Sequence, residues 1–152
     1  MITLYVDELI ISGHSVEYIK TIKQLLFARF EMKDLGALSY FLKMKVTRDR
    51  DAHTLTLTQN NYIERIVGLY NMKDAKPVST PMQTNHKLIS SMSPSTPEEI
   101  DEMIGVPYRQ AVGQLLYLSL GTRPDIAHAV TEVCRFACNS GRAHWSAVKR
   151  II

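Results

Sequence analysis

Long apolar runs are missing from this sequence. No segment approaches the ~20 consecutive apolar residues that a membrane span needs. Nor does the N-terminal stretch pair a positive region with a long apolar core, so a signal peptide is not expected. Cysteine is scarce, with only Cys134 and Cys138 among 152 residues. Four apart in a helical pattern, these two are poorly placed to form a disulfide, and both read as reduced thiols of an intracellular protein (cytoplasm or nucleus). No run of like charges forms a basic tail. The 18 Lys and Arg exceed the 15 Asp and Glu by a formal charge of +3 that is spread along the chain. That balance suits a polyanionic partner without requiring one. There is no glycine-rich phosphate loop, no serine–histidine–aspartate arrangement and no internal repeat.

What is present is a 45% apolar composition, enough for a real core. Residues 2–12 are rich in β-formers, interrupted by Asp7 and Glu8. They read as two short strands joined by a tight turn whose tip carries both acids. Ser15 is a candidate N-cap. From Val16 to Phe30, Ile19, Ile22, Leu26 and Phe30 recur at helical spacing, and MKDLG at 32–36 ends the helix. Tyr40 to Thr47 alternates at strand period; RDRDAH forms a polar tip and TLTLT a second strand. A helix is expected over about Asn60 to Tyr70. Residues 73–95, with Pro77, Pro81 and Pro94, read as an extended and partly mobile connector. Thr96, Pro97 and Glu99 have the pattern of a capping box with proline in the first turn. Further helices are expected from about Pro107 to Leu120, from Pro124 to Cys138, and from Arg142 onward.

The adjacent carboxylates of LYVDELIISG, residues 4–13, are the strongest candidate for chemistry. A tight hairpin presents side chains rigidly, and magnesium takes hard oxygen ligands, few of them from protein. Two such ions ~3.5–4 Å apart clamp the attacking and leaving oxygens of a phosphoryl transfer. The simpler reading is that acids are common in turns.

LYVDELIISG resembles the tyrosine-x-aspartate-aspartate turn of reverse transcriptases, in the form found in copia-type LTR retrotransposons. The resemblance continues in order along the chain. It runs through FEMKDLGALSYFL, LTQNNYIERIV, STPM and YRQAVGQLLYLSLGTRPDIAHAV to HWSAVKRII. It implies an α+β fold: part of a reverse-transcriptase palm, with two β-hairpins and helices, over 1–72; a connector over 73–95; and an all-helical thumb- or connection-like region over 96–152. It implies Mg²⁺ as cofactor, an RNA/DNA primer–template as partner, and the remainder of a Pol polyprotein as context. Asp7 and Glu8 would be the catalytic metal ligands. Tyr5, Leu42, Lys43 and Met44 would lie against the primer.

Three departures set further expectations. Glu8 stands where the family has a second aspartate, and its carboxylate sits one methylene further out; misplacement by ~1 Å can cost ~100-fold in rate. Lys43 stands where the family has glycine, which permits an unusual dihedral or close approach. The chain also begins at the acidic turn, without the fingers and the other metal-binding aspartate, and stops before a ribonuclease H domain. The chain alone is therefore expected to be inactive, with strands 2–12 exposing apolar faces and edges. The alternatives are a non-catalytic nucleic-acid- or protein-binding remnant, or a decayed element with no selected function.

Other residues have plainer readings. Cys134, Cys138, His128 and His144 match no familiar zinc spacing. Core packing is expected for the cysteines and surface positions for the histidines. Trp145 falls on an apolar stripe. Arg123 and Asp125 are expected to cap a helix or to pair. Arg109, Arg123, Arg135 and Lys149 are basic residues that a thumb-like unit would turn to phosphates, or simply solvated. EEIDE at 98–102 reads as a solvated acidic face.

Overall fold

Strand-forming residues flank each acidic or polar tip, and each tip becomes a hairpin. A computed structural model describes residues 1–84 and 87–152. Its elements form two units, Met1–Thr56 and Leu57–Ile152. In the first, β1 (Ile2–Tyr5) pairs antiparallel with β2 (Glu8–Ile11), Tyr5 opposite Glu8 and Ile2 opposite Ile11. α1 follows (Val16–Phe27), capped as expected by the Ser15 hydroxyl, which accepts the Tyr18 N–H at 3.4 Å. The helix ends at Phe27, three residues short of the expected Phe30. Lys23 on α1 grips Asp34 at 2.8 Å, and the same carboxylate accepts the Gly36 N–H. Next come β3 (Tyr40–Phe41), β4 (Met44–Asp49) and β5 (Thr54–Thr58), in the sheet order β3-β4-β5.

The expected single strand over 40–47 is thus two strands. A two-residue turn at Leu42 and Lys43 divides them, pairing Tyr40 with Lys45 and Phe41 with Met44. Strand periodicity is blind to such a turn, because a two-residue loop preserves the alternation of apolar and polar positions.

The first unit has almost no interior. Among its described residues only Val46 is buried, and α1 buries none. Cross-strand pairing gathers Ile2, Leu4, Leu9 and Ile11 on one face of the first hairpin. Leu4 on that face is 68% exposed.

The second unit holds the core. It contains α2 (Asn60–Leu69), α3 (Pro97–Met103), α4 (Tyr108–Gly121), α5 (Ala127–Cys134) and α6 (Arg142–Ile151). α2 buries Tyr62 and Ile66 in the cluster built by the later helices, so it packs with them. α4, α5 and α6 touch one another. Ala111, Val130 and Val148 are fully buried there, and Leu115 nearly so. Burying a side chain the size of Leu115 is worth about 1.5–3 kcal/mol. Polar groups fasten the helices: Tyr108 Oη donates to the Val133 carbonyl at 2.8 Å and Tyr70 Oη to Gln114 Oε1 at 2.7 Å. The Gln59 side chain, buried before α2, accepts a 2.8 Å hydrogen bond from Thr122 at the end of α4. A Cβ on Gly121 would stand 2.6 Å from that same oxygen, so a side chain there would displace the Gln59 amide from its bond to Thr122.

The capping box of α3 forms as expected, with Thr96 and Glu99 bonded reciprocally. The stretch expected to be one helix from Pro124 is a 3-10 turn, Pro124–Ile126, followed by α5, which ends at Cys134. The connector includes a 3-10 turn at Ser90–Met92 and the buried Leu88. Asn85 and His86, within the connector expected to be partly mobile, lie outside the described residues. No helix of the described residues is long and apolar enough to cross a membrane.

Two side chains depart from expectation. Cys138 is exposed, while Cys134 is half-buried against the core. His144 is fully buried rather than on the surface. It stacks on Phe136 with ring centroids 4.0 Å apart, and its Nδ1 accepts the Gly141 N–H at 2.9 Å. Here the imidazole does the work of a capping-box glutamate at the start of α6. Gly141 cannot carry a side chain because the Met92 carbonyl occupies the space. The ring is neutral, with its proton on Nε2, since Nδ1 is an acceptor. Burial holds its pKa below the ordinary 6.5; the nearby Ile89 backbone opposes this in part, but Nε2 makes no hydrogen bond of good geometry among the described residues.

Truncation separates the two units. Leu115→Ala should cost about 2–5 kcal/mol in denaturant unfolding, whereas Leu4→Ala should change stability by less than ~0.5 kcal/mol. Titration probes His144. Because folding depresses its pKa, its contribution is complete above the unfolded value near 6.5 and is lost as pH falls below it. The urea midpoint should therefore drop on acidification through that range, and the drop should be smaller in His144→Leu.

Candidate active site

The first hairpin places the two acids at its end, and it does so under strain. The turn between β1 and β2 consists of Val6 and Asp7; Glu8 already belongs to β2, opposite Tyr5. The tip is thus Val6–Asp7, not Asp7–Glu8 as expected. Val6 takes φ 51, in the left-handed region. A two-residue hairpin turn requires positive φ at its first central residue, and a β-branched side chain pays most for it. Asp7 and Glu8 are exposed, as are Tyr5 and Val6. Tyr5 and Glu8 share a face of the ribbon with Thr3 and Ile10, opposite the apolar face.

Carboxylates exposed at a hairpin end suit magnesium in ligand type. That ion is commonly held by one or two carboxylates, with water and phosphate oxygens filling the other positions. Asp7 and Glu8 are the residues that would hold it. Among the described residues, no group of three or more His, Cys, Asp or Glu side chains comes together anywhere.

The second hairpin places Lys43 in a turn. Leu42 and Lys43 have φ 48 and 59. Two consecutive positive values are the pattern of the turn that favours Asn-Gly. A glycine at 43 would adopt this backbone freely, whereas lysine holds it at a cost of ~1–2 kcal/mol. The glycine expected at this point is therefore a dihedral requirement of the turn. No sequence signal for the turn survives once lysine replaces it. Leu42 and Met44 are half-buried and Lys43 is exposed, so the three form the end of the β3-β4 ribbon. The structure brings Asp7, Glu8 and Tyr5 together on one hairpin and Leu42, Lys43 and Met44 together on another.

Elsewhere, Arg123 pairs with Asp125 through Nε and Nη2 at 2.9 and 2.7 Å. That contact lowers the Asp125 carboxyl and raises the guanidinium. Arg109 donates to the Ala137 carbonyl, Arg135 pairs with Glu132, and Glu102 of the acidic helix pairs with Arg142.

The sequence model described as reverse transcriptase (RNA-dependent DNA polymerase) matches residues 1–84. The whole chain is 48% identical to the retrovirus-related Pol polyprotein from transposon TNT 1-94 of Nicotiana tabacum, of which it covers 11%. Over 98% of its length it is 34% identical to the Pol polyprotein from transposon RE2 of Arabidopsis thaliana, covering 10% of that protein. It is also 37% identical, over 98% of its length, to the mitochondrial protein AtMg00810 of Arabidopsis thaliana, covering 58% of it. No solved structure matches. The chain belongs to the reverse transcriptase family. It is similar to copia-type Pol polyproteins of plant transposons, and it spans about a tenth of the length of those it matches.

If the turn dihedral is what disfavours lysine, Lys43→Gly should stabilise the β3-β4 turn by about 1 kcal/mol. Cross-strand nuclear Overhauser effects between Tyr40 and Lys45 should strengthen in that variant. They should weaken in Lys43→Val, whose branched side chain tolerates the dihedral less.

Proposed function

We propose that this chain is the catalytic-turn and primer-grip portion of a copia-type RNA-directed DNA polymerase, and that its chemistry requires other parts of a Pol polyprotein. The observation that carries the reading is the first hairpin, with Asp7 and Glu8 exposed at one end and an apolar face behind them on which Ile2 and Leu4 are exposed. The exposed acids suit a metal and a phosphate chain. The exposed Ile2 and Leu4 suit an apolar contact with another segment.

In this reading Asp7 and Glu8 hold Mg²⁺, which supplies charge stabilisation at the transferring phosphoryl oxygens. Tyr5, beside Glu8 on the ribbon, lies against the primer end. Leu42, Lys43 and Met44 position the primer strand, with the Lys43 ammonium within reach of a phosphate. The partner is an RNA or DNA primer–template. Two carboxylates do not make a two-metal site, so a further acidic ligand comes from another segment. The side chain of Glu8, longer than aspartate, makes whatever site is assembled a poor one.

Complementation tests this. The chain would be produced alone and substituted for the matching region in the Nicotiana Pol polyprotein, and primer extension measured with magnesium. The chain alone should give none. The substituted polyprotein should extend a primer, Asp7→Ala should lower the rate by about 100-fold or more, and Glu8→Asp should raise it. Extension that survives Asp7→Ala unchanged would remove the acidic turn from the chemistry. Salt-dependent primer–template binding indifferent to Asp7, with no extension in any form, would favour a binding remnant.

A further inference from the structure

Three residues of this chain are hydroxyl-bearing and followed by proline: Thr80, Ser93 and Thr96. Their surroundings differ. Ser93 donates its hydroxyl hydrogen bond to the Asn139 carbonyl at 2.7 Å, so a phosphate there would face a lone pair. Thr96 is the cap of α3, and its oxygen accepts the N–H of Glu99, whose carboxylate bonds back beside it. A second anion there would be repelled. Thr80 alone of the three faces a cation. Its Oγ1 accepts a 3.0 Å hydrogen bond from Nη2 of Arg150, in the last turn of α6.

The guanidinium is half used. Nη2 and Nε point along the same edge of the planar group, the edge that grips a carboxylate or phosphate with two parallel hydrogen bonds. Nη2 is on Thr80, while Nε is buried and has no partner among the described residues. An unmatched N–H of this kind costs about 1–3 kcal/mol, more for a charged group. A single hydroxyl oxygen cannot satisfy both donors of the edge, whereas an oxyanion attached to that oxygen has the atoms to do so. Thr80 is exposed, and the residues around it are in irregular backbone, as a kinase requires of its substrate. Lys149 adds a second positive charge to the same helix end.

We propose that Thr80 is a phosphorylation site whose phosphate is read by Arg150, clamping the connector onto the end of α6. The donor is ATP, used by a kinase that selects proline after the acceptor. Thr80 Oγ1 attacks the γ-phosphorus, and a new O–P bond forms as the bond to the β,γ-bridging oxygen breaks. ADP leaves with that electron pair, and the hydroxyl proton passes to a base of the kinase. The product carries about −1.5 to −2 charge and three strong acceptor oxygens, against one neutral hydroxyl before. The consequence is a switch in how firmly the segment around Pro81 and Met82, which packs on the helical core, is held.

The test is to treat the full chain with ATP and a proline-directed serine/threonine kinase, map the product by mass spectrometry, and titrate the phosphothreonine by ³¹P NMR. The phosphate should map to Thr80 and be absent from Thr80→Val. Its second ionisation, ordinarily near pH 6, should lie about one unit lower in the native protein than in Arg150→Gln. Arg150→Lys, which keeps the charge without the fork, should fall between them and guards against a Gln variant that fails to fold. Three outcomes would each overturn the proposal: no incorporation, incorporation at Ser93 or Thr96 but not Thr80, or a Thr80 phosphate that titrates identically in all three proteins.

Discussion

Where α4, α5 and α6 meet, Ala111, Val130 and Val148 are sealed from solvent, and small side chains let the helices approach closely. The rest of the second unit depends on that junction. Tyr108 reaches across it to the Val133 carbonyl. Trp145 sets its edge against Tyr70 and tilts over Tyr108. α2 is drawn into the same cluster by Tyr62 and Ile66. Even the buried polar groups serve it: Gln59 ties the start of α2 to Thr122, and His144 caps α6 from inside. The first unit has no counterpart to this junction. Its helix buries nothing, its hairpins are held by ladder hydrogen bonds, and an exposed ion pair, a type of contact worth little by itself, ties α1 to the loop that follows it.

That contrast separates two kinds of family resemblance. YRQAVGQLLYL, TRPDIAHAV and HWSAV are specific because they build the junction: Tyr108, Ala111, Leu115, Ile126, Ala129, Val130, His144 and Val148 are all buried. LYVDELIISG is the reverse. Its acids are exposed and its strands are thinly packed, so its meaning depends on what lies against it.

Much of the fold was legible in the sequence. Helical spacing located α1, α2, α4 and α6, and the Ser15 and Thr96 caps fell where side-chain chemistry put them. What escaped had physical reasons. The Leu42–Lys43 turn carries neither glycine nor asparagine, and two-residue turns leave strand periodicity intact. His144 was misread as a surface group because a histidine at the third position of a helix gives no outward sign that its ring will be buried as a cap. That Asp7 and Glu8 fall at the end of a hairpin was readable. The strain at Val6 was not, since the residue is a good strand former and only pairing geometry forces it to φ 51.

The second unit buries a core of its own, whereas the first buries almost nothing. Native-state hydrogen exchange of the intact chain tests it most directly. The account predicts that amides of α4 around Leu115 exchange at least ~1000-fold more slowly, relative to their intrinsic rates, than amides of the β1-β2 ladder, because the first opens only with the core and the second opens locally. Equal protection of both would contradict it, showing that the hairpins are as stably packed as the helical core.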